Sequence, residues 1–245
     1  MWYKKAARSL PWRETRNPYA ILVSEFMLQQ TQVSRVLDFY PRFLKRFPTI
    51  DALARSRPKA VMEAWNGLGY YARARNLHAL ARVVTRTQDG RLSDKPEELQ
   101  QLPGVGRYTA GAVACFAYEK PVPTVDTNVR RVLQRAFAPK DIWEFAETMT
   151  PRNGKRAWKF NQALMELGAL VCGARKPNCP ECPVRRECRL GSEYGARHKR
   201  EQRKDPRQRR ATVLSAQQMV EESRGQGDVK PLAIERAMKD RRRKA

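Results

Sequence analysis

The chain has 245 residues, 41% of them hydrophobic, enough for one large domain or two small ones around a packed core. Its 49 Lys and Arg against 25 Asp and Glu give a formal charge of +24, a field that favours a polyanion, nucleic acid first. No apolar run approaches the ~20 residues of a membrane-spanning helix, and residues 1–16 lack the apolar stretch of a secretory signal, so no membrane partner and a cytoplasmic, nucleoid-associated location are expected.

Within residues 1–16 the pattern predicts a short helix stopped by Pro11. Asn17-Pro18 then opens a second helix, because Asn suits an N-cap and Pro the first helical position. At ~100° per residue, Ile21, Leu22, Glu25 and Leu28 share one sector, which places a carboxylate on the apolar face of an amphipathic helix. An ionised, unpaired acid is costly there. A Glu at the helix edge, curling out to solvent, would account for this residue alone. The run Gln29-Gln30-Thr31-Gln32 adds neutral hydrogen-bonding side chains beside it, suited to the polar, uncharged edge of a nucleobase. Thr31 is expected to cap a helix running to about Phe47, and further helices are predicted at 50–54, 60–65, 72–87 and 97–102. The one β-like run, 121–125, is short and broken by Pro, so the class is all-α.

Two glycine-containing turns punctuate these helices. In Asn66-Gly67-Leu68-Gly69-Tyr70-Tyr71-Ala72-Arg73, the turn can push Tyr70 into a base stack while arginines such as Arg73 hold phosphates; a plain helix-linking turn is the alternative. In Leu102-Pro103-Gly104-Val105-Gly106-Arg107-Tyr108, a tight turn precedes a helix of small residues, and N–H groups at such a helix start bind anions. This pattern is the helix-hairpin-helix of sequence-independent DNA binders. Asp126 is an N-cap candidate for the helix that carries Asn128, Val129, Val132 and Leu133. Ionised there, it would pair with a protonated Glu25 as one anion and one acid, the division that glycosidic chemistry needs.

A helix over 161–171 delivers Cys172. With Cys179, Cys182 and Cys188 it forms Cys-x6-Cys-x2-Cys-x5-Cys. Cysteines in an intracellular chain point to metal or redox chemistry before disulfides, and a single Cys-x2-Cys favours a 4Fe–4S cluster over zinc. The fifth, Cys115, reads as a buried, inert residue. Residues 195–245 are read as a basic tail; 199–245 hold 15 Lys or Arg against 7 Asp or Glu.

Together, Leu10-Pro11-Trp12-Arg13, Ser24-Glu25 through Val33, Gly67 to Tyr71, Leu102 to Arg107, Val125-Asp126 with Asn128, Phe160 to Met165 and the four cysteines resemble the endonuclease III-like superfamily of DNA glycosylases. They are most similar to its MutY-type adenine DNA glycosylases. The resemblance implies a six-helix barrel lobe over 19–124 that includes the hairpin, and an iron–sulfur lobe built from 1–18 and 125–194. It implies that Glu25 protonates the adenine leaving group at N7 and that Asp126 stabilises the sugar cation or bonds to it transiently, with Tyr108 and Asn128 beside them. Gln30 and Tyr70 would wedge into the duplex. Gln29 and Thr31 would line the base pocket, and Gly104, Val105, Gly106 and Arg107 would meet DNA. Cys172, Cys179, Cys182 and Cys188 would hold one 4Fe–4S cluster that frames a loop and does no chemistry. The expected partner is double-stranded DNA with a mispaired base, and the expected state a monomer.

The chain departs from that pattern in four places. Tyr108 stands where bifunctional relatives carry Lys, so no Schiff base is expected there and the enzyme should be monofunctional. The basic tail stands where most MutY-type enzymes continue into a domain that recognises 8-oxoguanine, so the preference for the opposite base is left open. Thr127 replaces a usual Gly, and Met1 falls late in the first family helix. Two other functions share the scaffold: a mismatch thymine or uracil glycosylase, and a non-catalytic iron–sulfur DNA-binding protein, the latter opposed by the presence of both Glu25 and Asp126.

Overall fold

The computed structural model describes residues 2–192, and these contain helices and turns and no strand, as the all-α reading requires. The basic tail predicted for 195–245 lies outside the described residues. In chain order the helices are α1 (Trp2–Ala6), α2 (Pro18–Leu28), α3 (Val33–Arg46), α4 (Ile50–Arg55), α5 (Pro58–Trp65), α6 (Ala72–Thr87), α7 (Pro96–Leu99), α8 (Arg107–Tyr118), α9 (Thr127–Phe137), α10 (Ile142–Met149) and α11 (Gly154–Glu166). No helix among the described residues is long and apolar enough to cross a membrane.

The start of α2 is set by its cap. Asn17 Oδ1 accepts from the amides of Tyr19 and Ala20, and Pro18 takes the position where no N–H is needed. The amphipathic reading of α2 is corrected. Every residue from Tyr19 to Met27 is buried, because α3, α6 and α8 pack around this helix, and a helix that is apolar on all sides belongs in the centre of a core. Glu25 is therefore enclosed by protein rather than sitting on one apolar face.

Three boundaries also differ from expectation. The first helix ends at Ala6, and Pro11 opens a 3₁₀ turn, Pro11–Arg13, instead of stopping a helix. Thr31 does not cap α3; Gln32 occupies that position with no side-chain cap, and Thr31 belongs to the turn that leaves α2. The helix expected over 161–171 starts earlier, at Gly154, and its last five residues, Leu167–Val171, widen into a π-turn.

The largest apolar cluster joins Leu10 and Trp12 to the inner faces of α2 through α8. Two smaller clusters form around α9: Val125, Val129, Leu133 and Ala146 on one side, and Val132, Leu167 and Val171 on the other. The segment between α8 and α9 carries no helix and leads from the large cluster to the small ones. Asn161 pins it, accepting from Thr124 N at 3.1 Å and donating through Nδ2 to Val122 O at 3.0 Å. That fixes where Asp126 stands.

Candidate active site

A cleft of about 750 Å3 is lined by the C-terminal part of α2 and the turn after it, by Tyr108 on α8, by the start of α9 and by α11. It gathers Glu25, Gln29, Gln30, Thr31, Tyr108, Asp126 and Asn128, residues up to 103 positions apart in the chain.

Glu25 is 4% exposed, and its Oε2 is buried with no hydrogen-bond partner. Burial pushes its pKa up to about 7; the Tyr108 hydroxyl pulls it down, the Asp126 charge raises it again, and the Arg13 guanidinium lowers it. The carboxyl is thus a proton donor poised near neutrality. The same surroundings hold the Tyr108 phenol well above its usual value, first through burial and then through the charges of Glu25 and Asp126, so the phenol stays protonated.

Asp126 caps α9. Its Oδ1 accepts from Val129 N at 2.7 Å, and its Oδ2 accepts from Asn128 Nδ2 at 2.9 Å. The orientation of the Asn128 amide follows from the next link, because Arg131 Nη2 donates to Asn128 Oδ1 at 2.8 Å and so leaves Nδ2 to face the carboxylate. Arg131 itself is anchored on Gly168 O and Cys172 O, at 2.7 and 2.8 Å. Gly168 is required for this approach: a Cβ there would meet Asn128 Cβ at 2.7 Å.

Two groups at the cleft carry no role in the sequence reading. Glu166 has a fully buried side chain and holds two arginines, Arg8 Nη2 at 2.7 Å and Arg13 Nη2 at 2.6 Å, which fixes Arg13 beside Glu25. Gln162, one turn earlier on the same helix, is 4% exposed, lines the cleft, and has an unpartnered Oε1. The signal was a pair of polar residues four apart within an otherwise apolar run, which puts both on one helix face.

Gln30, which lines the cleft, and Tyr70, on the turn before α6, are exposed, Tyr70 by 60%, and both adopt left-handed backbone conformations with φ of 56° and 47°. Arg73, expected to hold phosphate, is 7% exposed and its guanidinium is surrounded by backbone carbonyls, so burial removes it from any DNA surface. In the hairpin, Gly104 has φ of 77°, and a Cβ would meet Asn76 and Phe26. Val105 is buried, and its amide donates to Leu102 O, so it builds the turn rather than facing outward. Gly106 is exposed and starts α8 with no side-chain cap, leaving the first N–H groups open. Arg107 is exposed, rests on Trp143 and pairs with Glu147 at 2.7 Å.

A family model described as HhH-GPD superfamily base excision DNA repair protein matches residues 23–158, more than half of the chain. The chain belongs to the HhH-GPD superfamily. Over 194 residues it is 47% identical to the adenine DNA glycosylase of Mycobacterium tuberculosis, covering 75% of this chain and 63% of that one. It therefore spans less than two thirds of the length of that relative. Among solved structures it resembles a thermostable thymine-DNA glycosylase, with a TM-score of 0.73 and 33% identity over 78% of this chain and 92% of the other. It also resembles endonuclease III trapped as a covalent intermediate with DNA, with a TM-score of 0.68 and 26% identity over 79% and 92%.

In this HhH-GPD chain the four cysteines after α11 are free thiols held against α9. Arg135 Nη1 donates to Gly173 O at 2.7 Å and lies 3.4 Å from Cys172 Sγ, and its Nη2 donates to Ala174 O at 2.7 Å. Burial raises the Cys179 thiol, and the neighbouring thiolates of Cys188 and Cys172 raise it further. Burial also raises Cys182, where the Val184 amide works the other way. The four sulfurs thus feel one another. Among the described residues no group of three or more His, Cys, Asp or Glu is arranged to hold a single metal ion.

Proposed function

We propose that the chain is a monofunctional glycosylase that hydrolyses the N-glycosidic bond of adenine mispaired with 8-oxoguanine or guanine in double-stranded DNA. The observation that carries this reading is Glu25: a buried carboxyl with an unpartnered oxygen and a pKa of about 7, in a cleft shared with a capping Asp126. In the reaction, Glu25 gives its proton to N7 of a flipped-out adenine. The glycosidic bond breaks with its electron pair on the base. Asp126, fixed by Val129 N and Asn128, faces the positive charge that grows on the sugar. Water then adds to the sugar carbon and returns a proton. Tyr108, kept neutral, offers no amine for a Schiff base. Gln29, Thr31 and the unpaired Gln162 supply neutral donors and acceptors for the base edge. The open N–H groups at the start of α8 suit a phosphate.

Identity at the level of 47% to a protein named adenine DNA glycosylase supports adenine as the base. The likeness to a thymine-DNA glycosylase, of which this chain covers 92%, supports a second reading in which the base is thymine or uracil. A second lobe from α9 onward is supported by the separate apolar clusters around that helix, whereas Leu10, Trp12 and Ala157 pack with the large cluster of the first.

Cys172, Cys179, Cys182 and Cys188 would hold a 4Fe–4S cluster. The donor set suits it: four thiols, no His or carboxylate among them, close enough to repel one another as thiolates and so in want of a cationic centre. The cluster would lock the loop in place. Duplexes with single A:8-oxoguanine, A:G, T:G and U:G pairs, treated with protein and then alkali, test the whole reading. Cleavage at A is expected; cleavage only at T or U would move the assignment to the second base, and cleavage at none would end it.

A further inference from the structure

Two exposed tips, one of them lining the cleft, carry backbone strain. Gln30 and Tyr70 are side-chain-bearing residues with positive φ, conformations that persist only where the surroundings impose them. One buried side chain reaches both turns. Arg73 Nη1 donates to Phe26 O at 3.1 Å and Met27 O at 2.8 Å, and to Gln29 O. Its Nη2 donates to Leu68 O and Gly69 O, both at 3.1 Å.

The first three carbonyls close the C-terminus of α2, which has no basic residue of its own in its last turn. The other two belong to the turn that carries Tyr70. The guanidinium also lies 5.5 Å from the Trp65 ring and 5.3 Å from the Tyr70 ring. A planar fork with donors on both sides can serve two segments at once, which a lysine ammonium cannot. Burial lowers the arginine pKa, and carbonyl dipoles and ring faces surround the charge.

We propose that Arg73 is a positioning residue that ties Gln30 and Tyr70 into one rigid, two-pronged element for opening a base stack. This rests on the glycosylase reading above. The prongs pre-exist at a fixed separation, so no ordering is required when they meet DNA, and a misplacement of about 1 Å can cost on the order of 100-fold in such a step.

The test uses the full chain, Arg73→Lys, and a duplex with an A:8-oxoguanine pair and 2-aminopurine beside the adenine, whose fluorescence rises when the stack opens. Arg73→Lys is expected to slow opening by at least about tenfold, while the pH midpoint of the excision that survives stays near that of the unaltered protein. Opening at the unaltered rate, or a shifted midpoint, overturns the proposal, since the first denies positioning and the second puts Arg73 in the chemistry of the cleft. Stack opening by the unaltered protein without any base excision would defeat the glycosylase reading and leave this one standing. Where Arg73→Lys does not fold, hydrogen exchange of the unaltered protein decides. The hydrogen-bonded amides of the two turns, Thr31 N to Leu28 O and Leu68 N to Trp65 O, should exchange slowly and through a common opening; fast, independent exchange of either overturns the clamp.

Discussion

Replacing Glu25 by Gln should cut activity by at least ~100-fold and stabilise the protein, and the second effect should depend on pH. The unfolded chain releases the Glu25 proton near 4.5, whereas the folded protein keeps it to about 7. Between those values the folded state binds more protons, so stability falls as pH rises, and the loss is complete above about 7. With 1.36 kcal/mol per pKa unit, the ionisable carboxyl costs about 1 kcal/mol at pH 5.5 and about 3 kcal/mol at pH 8. Tyr108 on α8, Asp126 at the start of α9 and Arg13 on the 3₁₀ turn face this carboxyl, and all remain when Gln replaces it.

The Gln variant has no titrating group at this position, so the change between the two pH values isolates Glu25. The difference in thermal midpoint, variant minus unaltered protein, should be larger at pH 8 than at pH 5.5 by an amount equivalent to about 2 kcal/mol, or ~4–8 °C for a protein of this size. Circular dichroism melts at the two pH values measure it. Single-turnover excision of adenine by the unaltered protein should fall about tenfold per pH unit above 7; the variant should lose at least ~100-fold at pH 7 and below, and the gap should narrow above it. An identical midpoint difference at both pH values would refute the buried, poised acid.

Three further outcomes follow from named contacts. Asp126→Asn sets an amide N–H against Asn128 Nδ2, whose partner Oδ1 is already taken by Arg131; excision should fall ~100-fold or more with duplex affinity kept, and unchanged single-turnover rates would contradict the role given to the carboxylate. Products should be intact strands with abasic sites until alkali is added, and efficient borohydride trapping of a protein–DNA adduct would show an amine acting where Tyr108 stands. Anaerobically purified protein should be brown with about four iron and four sulfide per chain, lost in Cys182→Ser; zinc at one per chain would dismiss the cluster.

The helical class, the start of α2 and the cap at Asp126 could be read from the chain because each rests on local chemistry: Asn before Pro, or Asp before an apolar periodic run. Glu25 stands out in the sequence as a misplaced acid, but its true setting is not legible there, since packing on every side of α2 depends on α3, α6 and α8, the last of them beginning at Arg107. Arg73 shows the limit most clearly. A sequence displays its charge and the glycines before it, which suggest a phosphate ligand; that its donors are spent on carbonyls 44 to 47 residues upstream is a tertiary fact. Glu166 was hidden in the same way, with partners 153 and 158 residues distant.

One face of α9 joins what the chain keeps apart. Asn128, Arg131 and Arg135 stand three and four residues apart and so project along one stripe. Asn128 orients the Asp126 carboxylate, Arg131 spans from Asn128 to Gly168 O and Cys172 O, and Arg135 continues to the carbonyls of Cys172, Gly173 and Ala174. The cysteine loop has few apolar residues to bury; Cys172 and Cys182 pack against the small cluster of Val132, Leu167 and Val171, and most of the loop is exposed. Its first residues, 172–174, are held to α9 by these arginine–carbonyl bonds. The stripe also explains why the helix start is precise enough to hold a reacting group: a carboxylate capping a free helix end would be fixed only by its amide partners, whereas Asp126 is fixed from the loop as well, through Arg131 and the amide of Asn128.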